Sequence, residues 1–193
     1  YRVSRVLNLA HGEFMMLGAY GLLATSTAFE AQPWMAVGLA AVLALLVGIT
    51  IYFVLMRYMT GESVLAAVLC TIAVGILLRG LITLIWGAQQ YYPLQHLGWT
   101  NTSIAVGGGA TISAASLALI ITTITSYIAL FIFLRYTRWG IRMRAAGQNP
   151  LLAAQRGIRL NGIYALAWGL ATFTGGVAGM LIACDSGLQT TMV

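Results

Sequence analysis

Residues 8–21 read NLAHGEFMMLGAYG and set Asn8, His11 and Glu13 at the mouth of an apolar run. A charge at the centre of a bilayer costs on the order of 2.5–3.5 kcal/mol on insertion scales. A histidine and a carboxylate two residues apart are therefore expected to face protein or a water-filled path rather than lipid. The run after them, Phe14–Phe29, is short for a span and rich in glycine (Gly12, Gly18 and Gly21 at its start and within it). It leaves open a plain span, a broken helix or a re-entrant one.

Four longer apolar segments follow, at Met35–Met56, Val64–Trp86, Thr111–Leu134 and Gly162–Cys184. Each meets the length of about 20 residues that a spanning helix requires, if Arg79 is accepted within the third. The whole chain is 60% hydrophobic and 7% charged, with a mean hydropathy of +0.89. A soluble domain carries about 25% charged residues. The composition thus predicts an all-α, polytopic transmembrane helix bundle of five apolar segments, the first of them broken, re-entrant or plain.

The net charge of +6 comes from ten arginines without a single lysine. Nucleic-acid binding would need them clustered on a polar face, whereas here they lie between apolar spans. The segment 135–161 holds Arg135, Arg138, Arg142, Arg144, Arg156 and Arg159 and no acid. The positive-inside rule places it in the cytoplasm. Counting back by crossings puts Ala88–Ala110 outside, Arg57–Ser63 inside, Glu30–Trp34 outside, and Arg2 and Arg5 inside. By the same count the polar end of the opening run falls in the cytoplasmic half, either idle at the interface or facing a path. Arg79, in the outer half of its span, is expected to snorkel outward or to pair with Glu30 or Asp185. The external loop 88–110 reads as interfacial, with Tyr91, Tyr92 and Trp99, or as a docking surface for an external partner.

Within the basic segment, Asn149 is a good N-cap, Pro150 suits the first helical position and Gly157 the position just past the end. A short helix over Leu151–Arg156 is predicted, with Leu151, Leu152 and Ala154 available for contact. In the last span Ala167, Ala171, Gly175, Gly179 and Ala183 recur every four residues, aligning small side chains on one face for close helix packing. Thr172 and Thr174 either face a path or bond back to their own helix. Cys70 and Cys184 lie in apolar segments and read as small buried hydrophobes. No metal-ligand spacing, nucleophile motif or phosphate-binding lysine loop is present; no catalytic or metal site is expected.

At Asn8, Ala10, His11, Gly12, Glu13, Gly18, Ala19 and Tyr20 the chain resembles the permease subunits of bacterial ABC importers for branched-chain amino acids. The likeness continues at Leu134–Gly140, Arg144-Ala145, Asn149-Pro150, Ala153-Ala154, Gly157-Ile158 and Gly175–Gly179. It implies a multi-pass inner-membrane permease domain, 1–193, that is partial and lacks the first and last spans of the family. It implies three protein partners: a second, homologous permease, cytoplasmic ATPase subunits that bind the ATP, and a periplasmic or lipid-anchored solute-binding protein. No cofactor is expected on this chain. Asn8, His11, Gly12 and Glu13 would lie near the translocation path. Asn149, Pro150, Leu151, Leu152, Ala153, Ala154 and Gly157 would form the helix that couples to the ATPase. Importers of urea or short-chain amides share nearly the same motifs. An ion-coupled secondary transporter would need intramembrane acids, for which only Glu13 and Asp185 qualify.

Overall fold

A computed structural model of the chain describes residues 8–29, 32–98, 100–107 and 110–189. The expectations for Arg2, Arg5, Glu30 and Trp99 lie outside the described residues. Helices dominate: α1 (His11–Ala28), α2 (Pro33–Val54), α3 (Val64–Trp86), α4 (Pro93–His96), α5 (Ala114–Tyr136), α6 (Arg138–Gln148), α7 (Pro150–Gln155) and α8 (Leu160–Ser186). A 3₁₀ turn, Met56–Met59, follows α2. Of these, α2, α3, α5 and α8 are long and apolar enough to cross a membrane. The five apolar segments thus correspond to α1, α2, α3, α5 and α8.

Helix ends follow local chemistry. Ser63 and Ser113 cap α3 and α5, their hydroxyls accepting from the amides of Ala66 and Ser116. Pro33 opens α2. Gly87 and Gly187 stop α3 and α8 with φ of +76° and +84°, a region that favours glycine.

Helix α8 is the hub, with α1 and α2 packed along it. His11 lies against Gly175 and Met15 against Gly179, so α1 and α8 run the same way. Ala44 meets Gly176 and Gly48 meets Thr172, so α2 runs opposite. Helix α3 lies alongside α1 in the same sense, with Leu9 at Thr71, Glu13 at Arg79 and Tyr20 at Trp86. Helix α5 returns antiparallel to α8, its start at Asp185 and its end against α6. The ends carrying Arg57 and the arginines of 135–159 therefore all gather on one side of the bundle.

The packing of α1 on α8 is backbone against backbone. A Cβ added to Gly179 would stand 1.9 Å from the Met15 carbonyl oxygen, and one on Gly18 2.3 Å from the Gly176 Cα. Such an approach is open only to glycine, and in lipid, where apolar burial gives no drive for association, close approach is what holds helices together. Ala183 is buried in the same seam, while Ala167 and Ala171 are half-buried. Gly169, Gly176 and Thr172 fill the neighbouring contacts with α2. Thr172 and Thr174 both bond back to their own helix, Thr172 to the carbonyls of Trp168 and Gly169 and Thr174 to those of Leu170 and Ala171. The cysteines are free and half-buried.

Two features of the connections were not foreseen. The loop between α3 and α5 folds into α4 and a two-stranded antiparallel hairpin, β1 (Ser103–Gly107) and β2 (Ala110–Ser113). Hydrogen bonds tie Tyr91 to Leu188, and Asp185 holds the base of the hairpin. Its carboxylate accepts from Ser113 Oγ at 2.6 Å, Ser116 Oγ at 2.9 Å and Asn101 Nδ2 at 3.4 Å. This cluster joins the start of α5 to the end of α8. Asp185→Ala should loosen it by about 1–2 kcal/mol, the worth of hydrogen bonds to an exposed charge. Amide exchange over residues 103–116 should then quicken about tenfold, since each 1.4 kcal/mol is a factor of ten in the opening equilibrium. Unchanged exchange there would show that Asp185 is not what fastens the hairpin.

Candidate translocation and coupling sites

The start of α1 is assembled from short-range bonds. Asn8 Oδ1 accepts from the Ala10 amide at 3.1 Å, and the Leu9 amide donates to Thr71 Oγ1 at 3.3 Å. Ala10, the residue before the helix, has no side chain that can cap it, so Asn8 supplies the acceptor from two positions earlier. Ala10 and Phe14 are buried in the core with Tyr52, Val74 and Trp168. His11 stands at the first helical position with its ring over Gly175. Glu13 lies in the first turn, where the helix dipole favours a negative charge.

Arg79 is the partner of Glu13. Its Nη2 donates to Glu13 Oε1 at 3.0 Å, and this is the single salt bridge among the described residues. Glu13 is 17% exposed and Arg79 44%. This contact replaces simple outward snorkelling, and Asp185, the other described acid expected as a partner, is bonded instead to Ser113, Ser116 and Asn101. Arg79 lies fifteen residues beyond Val64, about 22 Å along α3 at ~1.5 Å per residue. His11 stands opposite Gly175, a similar distance past Leu160 on α8. With Leu9 bonded to Thr71 and Glu13 packed on Gly75, the polar start of α1 lies against the middle turns of α3 and α8, away from their arginine-bearing ends. The reason is registry: the backbone contact of Met15 with Gly179 slides α1 toward the end of the bundle away from the arginines. Over the described residues the first segment forms one unbroken helix, His11–Ala28.

Beside the ion pair lies an open groove of about 540 Å³, lined by Glu13, Ile76, Arg79, Gly80, Thr83 and Leu84. It offers one anion, one cation and an apolar wall. Asn8, His11, Gly12 and Glu13 are brought together at this level, but Asn8 and His11 do not line the groove. Among the described residues no group of three or more His, Cys, Asp or Glu side chains could hold a metal ion.

At the basic end, Asn149 Oδ1 accepts from the Leu152 amide at 3.1 Å, Pro150 occupies the first turn, and Gly157 has φ of +79°. Helix α7 therefore begins and ends where the capping signals lie. Ala153 is buried against the cluster containing Met143, Ala146 and Ile163. Leu151 and Leu152 project outward, 76% and 58% exposed, and Ala154 is exposed beside them. Preceding it lies α6, where the charge pattern by itself predicts only a loop. Thr137 caps it by accepting from the Gly140 amide at 3.0 Å, and Gly140 is pressed onto the backbone of Phe133 and Leu134. The threonine was a cap signal available in the sequence.

A family model described as the permease component of branched-chain amino acid transport systems matches residues 1–192. The chain belongs to that family. Three curated relatives are similar over 94% of the chain. The probable branched-chain amino acid transport permease protein LivH of Methanocaldococcus jannaschii is 28% identical. The high-affinity branched-chain amino acid transport system permease proteins LivH of Salmonella typhimurium and Escherichia coli K12 are 26% and 27% identical. The chain spans 58% of the length of the first and 62% of the other two. No solved structure matches it. With four helices able to span, the family member is a multi-pass membrane protein.

Proposed function

We propose that this chain forms part of the translocation path of an inner-membrane, ATP-driven importer for branched-chain or related amino acids. It carries out no catalysis of its own. The observation that carries the reading is α7, a capped helix at the arginine-rich end that exposes two adjacent leucines while Ala153 anchors it in the bundle core. Family membership supports the same conclusion. Cytoplasmic ATPases would grip Leu151 and Leu152, and their closure on ATP would move α7. Because Ala153 shares one buried cluster with Ile163 near the start of α8, that motion would reach α8 and the α1 start packed on it. A homologous permease would complete the path, and a solute-binding protein would deliver substrate at the hairpin end.

The groove beside Glu13 and Arg79 supports the substrate class. A zwitterion with an aliphatic side chain matches one cation, one anion and the wall of Ile76 and Leu84. The test is reconstitution of the intact permease with its ATPase and binding protein. Leucine uptake should require ATP hydrolysis. Uptake driven by a proton gradient without ATP would overturn the reading.

A local variant tests the coupling helix. Leu151→Glu should abolish co-purification of the ATPase and lower uptake at least tenfold, as expected when a charge is forced into an apolar contact. Membrane insertion should be unaffected. Retention of both ATPase association and uptake would remove α7 from that role.

A further inference from the structure

We propose that a cavity at the arginine-rich end binds the phosphate group of an anionic phospholipid. It measures about 320 Å³ and lies between α6, the end of α7 and the first turn of α8. Arg142, Arg156 and Arg159 line it, together with Trp139, Gly162 and Ile163. Segment 135–161 holds six arginines and no acid. Among the described residues the single salt bridge is that of Arg79 with Glu13. Among the described residues no carboxylate therefore neutralises these three guanidinium groups, which share one hollow. Arg144, by contrast, is directed elsewhere, its Nη2 donating to the Arg135 carbonyl at the end of α5.

The chemistry of the lining points to a phosphate diester. A guanidinium presents a planar fork of donors that matches phosphate oxygens two at a time. The Arg142 guanidinium lies 5.5 Å over the centre of the Trp139 ring, which steadies it at the rim. Trp139 and Ile141 are each half exposed, on opposite flanks of the buried face of α6, the composition of a helix lying at the boundary of water and lipid. Ile158 and Ile163 give the hollow an apolar wall beside its arginines, so it accepts a charged head and the start of an acyl chain. Basic pockets between spanning helices on the cytoplasmic side are where anionic headgroups bind.

The intact permease would be purified from membranes containing phosphatidylglycerol and phosphatidylcholine, and the lipids retained through detergent exchange counted by native mass spectrometry. The expected result is a preference for phosphatidylglycerol of about tenfold, lost in the triple variant R142Q/R156Q/R159Q. The matched triple R135Q/R138Q/R144Q removes the same charge from the same segment and should keep the preference. R142K/R156K/R159K keeps the charge and topology but not the forks, and should lose most of it. Excess inorganic phosphate should fail to displace the lipid; displacement would overturn the lipid as the source. Equal loss in both glutamine variants would show a diffuse field rather than a site. A cavity variant that keeps the lipid but loses the ATPase would assign the hollow to that protein and overturn the proposal.

Discussion

Replacing Gly179 with valine should separate α1 from α8 and leave little monodisperse protein after extraction. The Cβ would be built 1.9 Å from the Met15 carbonyl oxygen, against backbone that has no rotamer to relax into. Overpacking costs roughly 1–3 kcal/mol where side chains can shift. Here the whole α1 seam must open, so a loss of about 3 kcal/mol or more is expected. Gly18→Val should do the same through Gly176. The controls are internal: Gly21 and Gly38 meet nothing within 4 Å. Alanine at either should be neutral or stabilising by about 0.5–1 kcal/mol, because glycine is a poor helix former. Size-exclusion profiles and thermal unfolding in detergent decide the matter. A well-folded Gly179→Val protein would show that α1 is not seated on α8 as described.

The second large effect concerns the ion pair. Glu13→Gln leaves a guanidinium that cannot be deprotonated, and Arg79→Gln leaves a carboxylate only 17% exposed. Removing one partner of a buried pair costs about 3–5 kcal/mol. Arg79 is 44% exposed, so a value of about 2–3 kcal/mol is expected for each single change. The double variant E13Q/R79Q removes both charges and should be more stable than the sum of the singles by at least 1 kcal/mol, as coupled residues are in double-mutant cycles. Uptake by the intact importer should fall at least tenfold in all three if the groove takes a zwitterion. Additive stabilities would mean the two charges do not interact. Full uptake by the double variant would separate the pair from the path.

Much of the architecture was legible locally. The long apolar runs Met35–Met56, Val64–Trp86, Thr111–Leu134 and Gly162–Cys184 foretold the spanning helices to within a few residues. These signals act through neighbours in the chain: hydropathy over one window, a side-chain oxygen reaching an amide three residues on, a glycine free to adopt positive φ. The same holds for α7, where Asn149, Pro150 and Gly157 mark both ends. Charge asymmetry likewise grouped Arg57 with the arginines of 135–159 on one side, because that rule counts residues and needs no packing.

Registry between helices was not legible, since hydropathy says that a segment is buried in lipid but not how far it slides along its neighbour. That sliding is set by Gly18, Gly176 and Gly179, where backbones touch. It sets the start of the opening run NLAHGEFMMLGAYG against the middle turns of α3 and α8 and brings Glu13 to Arg79, 66 residues away. It also brings Asp185 to Ser113 and Ser116, fastening a hairpin that no periodic pattern announced. Sequence alone therefore decided that this protein is a bundle of membrane-spanning helices with a basic end and a capped helix upon it. Only tertiary structure decided which charges meet, because that depends on contacts a single glycine permits and one added methyl group would forbid.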